Sequence, residues 1–243
     1  MKYTLEICAG SLRSALAAQE GGADRVELCD NLAEGGTTPS YGMIKTCNSL
    51  LNIPVFPIIR PRGGDFVYSD DEFKVMQEDV ISCNKLCCEG IVLGILKADG
   101  EIDTERCSEL ISLAGKMQIT FHRAFDHCCD LEKGLEDVIS LGCHHLLTSG
   151  GAMYAENALP QLKRLIIHAR NRISIMPGSG INEENLLKIA NETGAHEFHS
   201  TAKKRIFRHP DNQGQNRIDS NYLYETDAST VKNMMQVLSL IDD

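Results

Sequence analysis

Three glutamates, two histidines and two arginines sit where a chain can move protons or hold an anion. Glu6, Glu27 and Glu197 lie in short apolar runs, LEIC, VELC and EFH. A carboxylate buried in such a run needs a partner, because leaving it uncompensated is very costly. His122 and His199 end two of the runs, and histidine exchanges protons near neutrality. Arg60 and Arg62 close the run IIRPRGGD, where Gly63 and Gly64 permit a bend that returns Asp65 toward the arginines. Two guanidinium groups suit an anion held through paired hydrogen bonds; the plainer alternative is an Arg–Asp bridge that fixes the loop. In ITFHRAFD, Arg123 follows His122 directly and Asp126 is near enough to orient either one. LLTSGG, IMPGSGI and EFHSTA add Thr148, Ser149, Gly178, Ser179, Gly180, Ser200 and Thr201, residue types that surround a phosphate with amides and hydroxyls.

These groups meet only if the fold gathers the ends of the runs. Eight apolar runs, at residues 4–8, 25–29, 54–60, 91–96, 118–122, 145–148, 172–176 and 197–199, alternate with amphipathic stretches. The expected helices cover 12–20, 41–51, 70–86, 104–114, 131–141, 155–169, 183–192 and 228–241. Strict alternation calls for a parallel sheet. Eight units within 243 residues match a single (β/α)8 barrel, a TIM barrel, spanning 1–243 as one domain. An open doubly wound sheet lacks its usual support, since no GxGxxG follows the first strand. Ser69 with Glu72 forms a capping box, Asn182 is positioned to cap the seventh helix, and Gly21, Gly142 and Gly194 suit left-handed helix ends. Residues 203–224 are expected to form a long polar loop after the eighth strand, either a lid or disordered, and its basic start KKRIFRHP reads as a solvated charge run or an attractor for an anionic ligand.

Barrel strands send alternate residues into the lumen. Where one set is apolar it belongs under the helices, which puts Glu6, Cys8, Glu27, Cys29, Thr120, His122, Glu197 and His199 inside, joined by Arg60. A salt-bridge network that only holds the barrel centre is the competing account of Glu6 and Glu197. Groups at the carboxyl ends of the strands lie where barrel active sites form.

The bulk composition narrows the function. A formal charge of −10 argues against a nucleic-acid binder, which would concentrate basic groups. No apolar run is long enough to span a membrane, and the first residues alternate like a strand rather than a leader peptide, so a cytoplasmic protein is expected. The ten cysteines contain no CxxC pair; in that compartment they stay reduced and serve mostly as small core residues.

LEIC with GGADRVELC, then EGGTTPS, IIRPRGGDFVYSD and TFHRAFD, and finally LLTSG, MPGSGI and EFHSTA closely resemble the CutC family of copper homeostasis proteins. The resemblance runs from residue 5 to about 240 and implies a (β/α)8 barrel, a cytosolic homo-oligomer and a role in copper binding or tolerance. It maps the copper site onto Cys8 and Cys29. Neighbouring strands lie about 4.8 Å apart, so the two sulfurs can converge, and thiolates select Cu(I) over hard cations. No organic cofactor is expected. Two readings follow. In one, Cys8 and Cys29 hold Cu(I) at the C-terminal mouth. In the other, an enzyme acts by acid/base chemistry on a small anionic metabolite, phosphorylated ones included. There Glu27, His122 and His199 move protons while Arg60, Arg62, Arg123, Thr148, Ser149, Gly178, Gly180 and Ser200 hold the anion. The luminal polar set is larger than two thiolates need, which speaks for the second.

Overall fold

A computed structural model describes residues 3–207 and 222–240. Within it, eight parallel strands alternate with eight helices: β1 Thr4–Ala9, α1 Leu12–Glu20, β2 Arg25–Leu28, α2 Tyr41–Leu50, β3 Val55–Pro57, α3 Asp70–Lys85, β4 Gly90–Leu93, α4 Thr104–Ala114, β5 Gln118–Phe121, α5 Leu131–Ser140, β6 His145–Thr148, α6 Leu159–Ala169, β7 Ser174–Pro177, α7 Leu186–Thr193, β8 Glu197–Ser200 and α8 Ala228–Ser239. Two four-stranded arcs, β3-β2-β1-β8 and β4-β5-β6-β7, make the wall. Ile58 bridges to Val92, and the Ile59 amide donates to the Val92 carbonyl at 2.7 Å, which joins the arcs at one seam; β7 packs against β8 at the other. The fold is the (β/α)8 barrel.

Burial separates two apolar layers. Leu5, Ile7, Val26, Leu28, Ile119, Phe121 and Phe198 belong to the large core between strands and helices. Cys8, Cys29, Phe56, Ile58 and Val92 form a second, small cluster inside the lumen, with Leu32 packed over it. Strand alternation produces this division, since neighbours in sequence fall into different layers.

Several local expectations change. The Ser69–Glu72 capping box forms at the start of α3. Helix α7 starts three residues late: Asn182 accepts from the amides of Glu184 and Asn185, closing a turn, and Asn185 precedes the helix instead. Pro160 in the first turn of α6 sets its start, so residues 155–157 form a separate 3-10 turn. At the end of α1 the left-handed residue is Gly22, φ 92°, and Gly21 stays right-handed; Gly142 and Gly194 do adopt positive φ. The expected loop at 203–224 starts and ends as strands. Lys203–Phe207 (β9) pairs antiparallel with Tyr222–Thr226 (β10), supported by Arg205 lying 3.4 Å from the Tyr222 ring centroid. The rest of that stretch lies outside the described residues. No helix among the described residues is long and apolar enough to cross a membrane.

Candidate functional site

The strand register builds the lumen row by row. Glu6 stands beside Arg25 on one side and His199 on the other, Thr4 beside Glu197, and Cys8 beside Glu27. All of these inward residues of β1, β2 and β8 except Thr4 carry a charged group, a thiol or an imidazole.

The lower row is an ion network. Arg25 Nε donates to Glu6 Oε2 at 2.5 Å and its Nη2 to Glu197 Oε2 at 3.1 Å, while its guanidinium lies 5.0 Å over the Phe56 ring. His145 adds its Nδ1, 3.0 Å from Glu197 Oε2, and its Nε2 meets Gln118 Oε1 at 3.1 Å. Arg25 has the same strand parity as Glu27, yet the luminal set read from the sequence includes Arg60 and the histidines and leaves Arg25 out. Burial alone would make Glu6 hard to ionise. The charge of Arg25 and hydrogen bonds from His199 and Arg25 outweigh it and hold the carboxyl at about 2. Glu197 is also held at about 2, where His145 and Arg25 overcome its burial.

These shifts predict an acid limb in stability. Glu6 and Glu197 ionise more readily folded than unfolded, so the folded state binds fewer protons. Their contribution is complete above the ordinary carboxyl value of 4.5 and disappears as pH falls through about 2. Glu27 is shifted upward, so below 4.5 it is protonated in both states and adds no slope there. Urea midpoints measured down this range should fall, and fall less steeply in Glu6→Gln; equal slopes would contradict the network.

Above this row lies a thiol cluster. Cys8 Sγ and Cys29 Sγ are 3.5 Å apart, and ligand atoms of Cys8, Glu27 and Cys29 all fall within 4.8 Å of one another. His199 links the rows, with Nδ1 2.7 Å from Glu6 Oε1 and Nε2 3.6 Å from Glu27 Oε2. Burial opposes a charge on His199, but contacts with Cys8, Glu27 and Glu6 raise its pKa well above the usual value. The neighbouring Cys29 and burial push the Cys8 thiol upward. For Cys29, contact with Cys8 favours ionisation, but burial and the Glu27 carboxylate prevail and set it at about 12. Both thiols are therefore protonated at rest. The Glu34–Gly36 turn roofs the cluster: Gly36 has φ 92°, and a Cβ there would stand 3.1 Å from Cys29 Sγ. All ten cysteines are free thiols.

The remaining predicted residues are placed differently. Arg60 reaches the mouth but donates to the backbone carbonyls of Glu34, Gly36 and Gly64 at 2.7–2.8 Å, and so pairs with no luminal glutamate. Arg62 turns away to Glu72 at 2.6 Å and Asp65 at 2.9 Å, which is the loop-fixing bridge. Asp126 holds Arg123 at 2.8 Å and accepts from Thr148 and Ser149, so those two hydroxyls serve the loop. It does not orient His122. That imidazole instead accepts the Ala124 amide through Nδ1, and burial with the charge of Arg60 lowers its pKa to about 3. A neutral His122 without a carboxylate partner is a poor general base. Ser200 Oγ donates to the Ile181 carbonyl, and Gly178 packs against Leu147 and His199. Gly180 lines the mouth with Tyr154 close above it.

Comparison with known proteins agrees with this architecture. The CutC family model matches residues 3–204. A CutC family protein from Chromobacterium violaceum is 48% identical over 244 residues, covering 98% of this chain and 99% of that protein. The human copper homeostasis protein cutC homolog is 46% identical over 201 residues, covering 83% of this chain and 74% of that one. A crystal structure described as copper homeostasis protein CutC from Streptococcus agalactiae superposes with a TM-score of 0.79 at 39% identity, covering 82% of this chain and 98% of that one. Neither the barrel nor a polar lumen identifies the protein by itself, but with these relatives the assignment is plain: the chain belongs to the CutC family.

Proposed function

We propose that this protein binds Cu(I) through Cys8 and Cys29, with Glu27 as a third donor, and serves copper homeostasis in the cytoplasm. The observation that carries this reading is the convergence of two thiols and a carboxylate within 4.8 Å at a buried point of the barrel mouth. Two sulfurs make a soft donor pair suited to Cu(I), and hard cations that prefer all-oxygen sites gain little from it. Bound copper is the cargo here. Ligation requires the thiol protons to leave, and the Glu27 carboxylate, within 4.8 Å of both sulfurs, stands ready to accept them, with His199 beside it at 3.6 Å. Phe56, Ile58, Val92 and Leu32 pack around the cluster and keep water from the sulfurs. Relatives described as copper homeostasis proteins support the same reading.

Titration against a coloured Cu(I) chelator under reducing conditions tests it directly. Uptake of one ion per chain is expected, and no uptake would overturn the proposal. Gly36→Ala forces a side chain toward Cys29 Sγ at a backbone angle that L residues rarely adopt. It should weaken binding by roughly 10–100-fold, the usual effect of disturbing a ligand's supporting contacts. The same titration measures it.

A further inference from the structure

The mouth cavity measures about 580 Å³, far more than one ion occupies and within the range of small-molecule pockets. Cys8, Glu27 and His199 line one part of it. Arg60, Phe66, His122, Arg123 and His127 line another. Copper chemistry leaves two groups in this second part unexplained.

Arg60 is a buried cation without an acid. Its hydrogen bonds go to three backbone carbonyls; it also lies near the Tyr68 hydroxyl and feels the charge of Asp65, but among the described residues it forms no ion pair, and its Nε has no hydrogen-bond partner. A buried charge normally recruits an opposite one. His122 is buried too. Because Nδ1 accepts the Ala124 amide, the ring proton sits on Nε2, and that N–H also lacks a partner. Burial and the charge of Arg60 keep the ring neutral, so this donor is uncharged. Unsatisfied buried polar atoms are uncommon, and two beside one cavity point to a missing ligand. The Phe66 ring packs on both groups, 4.8 Å from the Arg60 guanidinium carbon and 5.0 Å from the His122 ring centroid. Phe66 is carried by the loop that follows Gly63 and Gly64, the latter at φ 82°.

We propose that this wall is a carboxylate subsite, where a small organic carboxylate displaces the Phe66 ring and sets its oxygens on Arg60 Nε–H and His122 Nε2–H. One cation and one neutral donor match the single charge and two oxygens of a carboxylate. A phosphate dianion would leave an oxygen facing the apolar surface of Phe66, Leu32, Ile58 and Leu147, which is unfavourable. Arg123 and Lys203, also at the cavity, favour anion entry. The subsite shares the mouth with the thiol cluster but does not depend on copper binding.

Calorimetric titration of the full chain with acetate, malonate and succinate, and with inorganic phosphate alongside, tests the proposal. Saturable binding of at least one carboxylate is expected, with phosphate much weaker. His122→Asn keeps an acceptor for the Ala124 amide but withdraws the distal donor. It should bind that carboxylate at least about tenfold more weakly, as expected for losing a hydrogen bond to a charged group. The Cys8→Ser/Cys29→Ser variant should bind it as the wild type does, which separates this site from the copper site. In the wild-type protein, the His122 Nε2–H resonance should shift on carboxylate addition whether or not the His122 variant folds. No saturable carboxylate binding, preference for phosphate, an unchanged affinity in His122→Asn, or an unmoved resonance would each overturn the subsite.

Discussion

Arg25→Met should destabilise the barrel by about 3–5 kcal/mol, the range for removing one partner of a buried ion pair. Arg25 is the shared partner of Glu6, at 2.5 Å, and Glu197, at 3.1 Å, and Glu6 has no solvent exposure. Methionine fills most of the space over the Phe56 ring but takes from both carboxylates the guanidinium they share, leaving Glu6 with His199 and Glu197 with His145. They would then be protonated or hydrated, and either outcome opens the centre of the barrel. The effect is much larger than that of an exposed ion pair such as Lys74–Asp71, which contributes at most about 1 kcal/mol. Urea unfolding at neutral pH measures the loss. In a double-mutant cycle, Arg25→Met combined with Glu6→Gln should cost less than the two changes summed, because the second removes a charge that the first has stranded. A loss within about 0.5 kcal/mol, typical of surface sites, would show that the network is not what holds the lumen.

The second large effect concerns copper. Cys8→Ser/Cys29→Ser should reduce Cu(I) affinity by more than the roughly 10–100-fold that follows loss of a supporting partner, because both soft donors disappear. Serine nearly preserves side-chain volume, so circular dichroism should report an intact barrel. Each single variant should fall between, since one sulfur and Glu27 remain within 4.8 Å of the site. Glu27→Gln should have a smaller effect, as it keeps both thiols. Chelator competition under reducing conditions ranks the four proteins. Equal affinity across the series would remove the thiol cluster from the proposed function.

Much of the scaffold was legible because it rests on local periodicity. Alternation along β1, β2, β5 and β8 is a property of strand geometry, so the burial of Glu6, Glu27, Thr120 and His199 followed from two-residue spacing alone. The same rule covered Arg25, two residues before Glu27. Its position at a strand start, where exposed basic residues are common, concealed it. What escaped was set by contacts between distant segments. The partners of Arg60 are carbonyls contributed by residues 34, 36 and 64, and backbone acceptors leave no mark in residue identity. Asp126 pairs with Arg123 and not His122, because the His122 ring caps the 3-10 turn Arg123–His127 by accepting the Ala124 amide. The β9–β10 pairing was hidden by the long polar insertion between two strands that carry their aromatic residues, Phe207, Tyr222 and Tyr224, on an exposed hairpin.

X-ray absorption at the copper edge, on protein loaded with Cu(I) under reducing conditions, reads the donor atoms themselves. Sulfur bonded directly to copper, contributed by Cys8 and Cys29 and absent from the spectrum of the double serine variant, is the expected result. A spectrum built only from nitrogen and oxygen donors, or one that the double variant leaves unchanged, would contradict the copper site.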